Sequence, residues 1–152
     1  MPAPKKTSKT DRYLDVARES RQYGETNDCT VKAVAITTGA SYEDAHWALA
    51  EFGRKNGHGA QISQTVGALG LLGCTARRVR IGEIIDSYPK PHCNVLKNIT
   101  THHPDRFASV WPAGAYLLFT AGHVAAVVDG ENHDWTRGSA KRVEEMFIVE
   151  AN

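Results

Sequence analysis

Apolar residues recur at helical spacing through the first half of the chain, then alternate or run together towards its end. Residues 11–23 hold Tyr13, Leu14, Val16 and Ala17 among charges, which predicts a short helix leading into a polar, turn-forming loop at 24–28. Asn27 and Asp28 at the end of that loop are both good N-caps. The run over 29–38 follows, with an apolar face through Val31, Val34 and Ala35, and Gly39 stops it as a C′ glycine does. Cys29 is therefore expected in the first turn of a buried helix. Ser41 caps another predicted helix, with Asp44 at the capping-box position, Tyr42, Ala45, Leu49 and Phe52 along one side and Gly53 at its end. Beyond the loop at 54–59, read as a solvated connector with a substrate contact as the alternative, Ser63 is expected to cap a helix over 64–72, closed by Gly73.

The period then changes. Residues 75–81 read as a strand with Val79 and Ile81 facing inward. The segment 83–112 is rich in Pro and His, and 94–102 is expected to form a short helix ended by Pro104. Strand-like runs follow at 115–120, 124–128, 132–136 and 143–149, and Asp129-Gly130 is a strong hairpin signal between the second and third of them. Helices first and strands last argue for an α+β class, with the helices packed on a mostly antiparallel sheet. Residues 1–10, with Lys5, Lys6 and Lys9, read as a flexible basic arm, and 11–152 as a single domain.

Composition narrows the function classes. The 152 residues are 41% hydrophobic and 23% charged with a formal net charge of +1, so no electrostatic footprint points to nucleic acid or an anionic membrane. No apolar stretch approaches the ~20 residues that cross a bilayer, and no apolar core follows the first lysines as a secretory signal requires. Three widely spaced cysteines make no disulfide framework and suit a reducing, cytoplasmic setting, or a virion if the chain is phage-encoded. Each cysteine is then core filler, metal ligand or nucleophile. Cys74, between Gly73 and a strand, reads as core. His92, Cys93, His102 and His103 match no common zinc spacing, and neither a metal nor a cofactor is expected. Trp47 and Trp111 read as core or groove-wall aromatics.

Cys29 has the position of a nucleophile, because a helix N-terminus and a nearby imidazolium both favour the thiolate. Of seven histidines, His123 stands out: Gly122 precedes it and an apolar run, 124–128, follows, which places its ring at the start of a core strand. Asp129 serves the turn. If that turn takes about four residues, Asp134 returns nearly opposite His123, where cross-strand Cβ atoms lie roughly 4.5–5.5 Å apart. Such a carboxylate would fix the imidazole tautomer, and Trp135 beside it would shield the pair.

The stretches 26–33, 122–130 and 133–135 together resemble the papain-like cysteine peptidases, nearest to the small bacteriocin-processing type and related phage and bacterial proteins. In that group an Asp-Cys pair opens the central helix, Gly-His begins a sheet strand, and an Asp or Asn on the next strand completes a triad. The resemblance implies Cys29 as nucleophile, His123 as base and Asp134 as orienting acid, acting on a peptide or isopeptide bond of a protein or peptide substrate. It also implies a glutamine oxyanion donor about six residues before the cysteine. Here Gln22 stands seven before, and Asn27 is its rival. Two other functions fit the same residues: a peptidoglycan amidase of the NlpC type, whose third residue is usually a histidine such as His133, and a papain-like fold that only binds, as a phage structural or host-takeover protein.

Overall fold

Thr10 caps the first helix, α1 (Asp11–Gln22): its hydroxyl oxygen accepts the Tyr13 N–H at 3.2 Å. The computed structural model describes residues 9–79, 113–134 and 143–152. Within them, α2 (Cys29–Thr38) starts by another route. Asp28 occupies the cap position but makes no side-chain cap bond, and Asn27 before it takes a left-handed φ of 52° that turns the chain into the helix. Gly39, at φ 76°, ends it by donating its N–H to the Ala35 carbonyl, as the sequence predicts. In α3 (Tyr42–Glu51) the Ser41 hydroxyl accepts from the Asp44 N–H, also as predicted.

The next helix departs from expectation. α4 (Ile62–Leu71) starts ahead of Ser63, because the Gln64 side chain reaches back to accept the Gln61 N–H at 2.8 Å and holds the first turn there. Phe52 leaves the apolar side of α3 to lie over α4, where a Cβ at Gly67 would collide with its ring. Trp47 is not a core residue: half of it faces solvent.

The strands β1 (Cys74–Arg78), β2 (Ala115–Thr120), β3 (His123–Val128), β4 (Glu131–His133) and β5 (Val143–Ala151) form one antiparallel sheet in the order β1-β5-β2-β3-β4. The described residues are thus α+β, four helices against a five-stranded sheet. Asp129 and Gly130 both have positive φ, 48° and 84°, the requirement of a two-residue type I′ turn between β3 and β4. Strand β1 stops at Arg78, with Val79 buried just past it.

Helix α2 is the centre of the packing, in contact with the other three helices and with β2, β3 and β5. Seven of its ten residues are buried, so its apolar surface extends all round rather than along one face. Val31, Val34 and Ala35 join Leu117, Val124, Ala126 and Phe147 of the sheet in one core that also takes in Tyr42, Leu49 and Cys74. The buried Thr37 hydroxyl is satisfied within the helix by the Ala33 carbonyl at 2.9 Å. The expectations for 1–8, Ile81, the 94–102 helix, His92, Cys93, His102, His103, Trp111 and Trp135 lie outside the described residues.

Candidate active site

Two buried carboxylates hold the loop that delivers Cys29. Glu25 accepts from Arg54 Nη1 and His46 Nε2 at 2.7 Å each on Oε2, and from the Gly57 N–H at 2.8 Å on Oε1. Burial alone would raise its pKa, but these donors, Arg54 foremost, hold it down at about 2. Asp28 accepts from the Ser20 hydroxyl and, at 2.7 Å, from the Tyr42 hydroxyl, while Lys32 Nζ lies 3.3 Å from its other oxygen. The three partners more than offset burial and keep Asp28 below the usual carboxylate range. The acid expected to cap α2 therefore ties it to α1 and α3 instead. Asn27 Nδ2 donates to the Gly57 carbonyl at 3.0 Å, which adds a second link from this loop to the loop at 54–59.

Cys29 is the first residue of α2, half-buried, where the free N–H groups of the first turn and the helix dipole favour negative charge. Burial pushes its thiol up, yet hydrogen bonds from His123 and from the Val124 backbone N–H, together with the imidazolium charge, hold it below the ordinary thiol value. His123 is the first residue of β3, brought over the start of α2 because these two elements pack together.

The hairpin register places Asp134 differently from the sequence expectation. Ala126 pairs with His133 and Val128 with Glu131 across a two-residue turn. The next rung puts Asp134 opposite Ala125, diagonal to His123. Because side chains two apart share a face, Asp134 still points to the side that carries His123. His123 Nε2 donates to Asp134 Oδ2 at 2.7 Å, and both side chains are more than nine-tenths buried. A carboxylate only accepts, so Nε2 carries a proton, and Nδ1 is the nitrogen available to the thiol. Burial would lower the His123 pKa, but Asp134 and then Cys29 raise it to about 9. The neighbouring His133 meets the Thr10 hydroxyl at 2.7 Å on Nδ1.

The two oxyanion candidates are placed unequally. Asn27 lines a cleft beside Cys29, with one amide proton already given to Gly57. Gln22, the last residue of α1, is exposed and lines neither cleft at Cys29. Those clefts flank the Cys29–His123 pair. One, of about 690 Å³, has apolar walls from Ala60, Ile62, Phe119 and Val124. The other, of about 460 Å³, presents Asn27 and Lys32. Sequence reasoning missed Glu25 as part of this site, and it left the loop carrying Arg54 and Gly59 between a substrate contact and a solvated connector, because a polar loop with two glycines has the pattern of either.

Among the described residues no group of three or more His, Cys, Asp or Glu is placed to hold a metal, and no helix is long and apolar enough to cross a membrane. Set against known proteins, the chain matches no family model, no curated protein and no solved structure.

Proposed function

We propose that the protein is a cysteine-dependent hydrolase of papain-like arrangement that cleaves a peptide or isopeptide bond. The observation that carries this reading is His123, held between Asp134 at 2.7 Å and a Cys29 thiol whose pKa it lowers, at a helix N-terminus beside two clefts. Cys29 Sγ attacks the carbonyl carbon and forms a C–S bond as the oxygen takes up negative charge. The Cys29 backbone N–H, at the start of α2, and Asn27 are the candidate donors to that oxygen, and one such donor is typically worth ~10²–10³ in rate. His123 Nδ1, which took the thiol proton, gives it to the amide nitrogen, the C–N bond breaks, and the amine leaves. Water attacks the thioester with His123 Nδ1 taking its proton, the C–S bond breaks, and the proton returns to Sγ, leaving a carboxylic acid and the free thiol. Asp134 holds the ring throughout. An acid at His123 favours this reading over a peptidoglycan amidase of the NlpC type, which usually has a histidine there.

Iodoacetamide labelling tests the activated nucleophile. Below neutral pH, Cys29 is expected to label faster than glutathione, with the site identified by mass spectrometry. Labelling no faster than glutathione would remove the basis of the proposal, and Cys29→Ala should abolish cleavage in a fluorogenic peptide library.

A further inference from the structure

The two clefts share Cys29, Gly59, Gly122 and His123, so they meet at the reacting pair. The two glycines at this junction are there for different reasons. Gly122 has a φ of 69°, in the left-handed region, and closes the turn between β2 and β3. Gly59 has no such requirement: its φ is outside that region, and a Cβ added there meets no atom within 4 Å. Neither backbone nor packing calls for a glycine. Glycine in place of alanine at such a position lowers stability by about 0.4–1 kcal/mol through the entropy of the unfolded chain. What the missing side chain leaves open is space where the clefts join.

That space is held in place. The loop carrying Gly59 is fastened at Gly57 by the Glu25 carboxylate and by Asn27, and at Arg54 by Glu25 again. We infer that Gly59 keeps a through-passage clear across Cys29, so that the site takes a polypeptide extended on both sides of the scissile bond rather than a group held at a chain end. The inference rests on the reading of Cys29 as nucleophile. Gly59 is then a specificity-determining residue. The walls assign the flanking chemistry: an apolar side chain seats among Ala60, Ile62 and Phe119, and a polar one beside Asn27 and the Asp28–Lys32 pair.

Three thiol reagents applied to the full chain test it: iodoacetamide, a peptide with a central epoxysuccinyl group and residues on both sides, and the same peptide cut back to one side. In Gly59→Leu the Cys29 rate with the two-sided reagent, taken relative to iodoacetamide, is expected to fall roughly tenfold or more. The one-sided reagent should lose less, and Gly59→Ala should show a smaller fall with a melting temperature at or above wild type. An unchanged two-sided ratio in Gly59→Leu overturns the inference, as does a Gly59→Ala protein that melts lower. The two readings separate cleanly. A wild-type Cys29 no more reactive than glutathione sinks the nucleophile, while the reagent ratio still reports whether Gly59 guards a passage.

Discussion

His123 is where opposing effects on one proton can be measured. Its pKa is raised to about 9 against the pull of burial, chiefly by Asp134 and then by Cys29. The sign follows: the charged ring contributes stability fully below its ordinary value of 6.5, and the contribution is lost as pH rises through about 9. Asp134→Ala is expected to shift the alkaline limb of peptide hydrolysis downward from that value, because the ring must be charged to protonate the leaving amine, and to slow hydrolysis by up to ~10⁴. An alkaline limb that stays in place would separate Asp134 from the base. At this scale the sequence was readable where a residue's role follows from its neighbours in the chain. Cys29 was legible because Asn27 and Asp28 precede an apolar run that Gly39 stops. Glu25 and Arg54 were not, because their pairing spans 29 positions and only the folded chain brings them together.

Within the elements, two glycines of α4 give opposite tests of the same substitution. A Cβ at Gly67 meets the Phe52 ring, whereas one at Gly70 meets nothing within 4 Å. Gly67→Ala is expected to destabilise by about 1–3 kcal/mol as the ring is displaced. Gly70→Ala should stabilise by about 0.5–1 kcal/mol through helix propensity, with urea denaturation as the measurement. The start of this helix was misread because Ser is the statistically favoured cap, whereas the Gln64 side chain and the Gln61 amide make their own closure two residues earlier. The β3–β4 hairpin was misread by an even number of residues. Period-two geometry forgives such an error: Asp134 moved along the sheet without changing face.

For the molecule as a whole, the order of helices and strands was enough to read an α+β class. The apolar face read at Val31, Val34 and Ala35 understates α2, which is buried at seven of its ten positions. Acid should expose what holds the active-site loop. The Glu25 pKa is lowered from 4.5 to about 2, so its contribution is present above 4.5 and is lost as pH falls through about 2. Near neutral pH, Glu25→Ala leaves the Arg54 guanidinium, 1% exposed, without its anion and is expected to cost about 3–5 kcal/mol. Urea midpoints for the two proteins should converge as pH falls across that window, and a constant gap would count against the clasp. The edge of the sheet has a different bearing on activity. Strand β4 has three residues, one neighbouring strand, and Asp134 immediately after it. A short edge strand opens at lower free-energy cost than central ones. Asp134 therefore follows directly on the least protected rung of the ladder, so its hydrogen bond to His123 depends on how often that rung is closed.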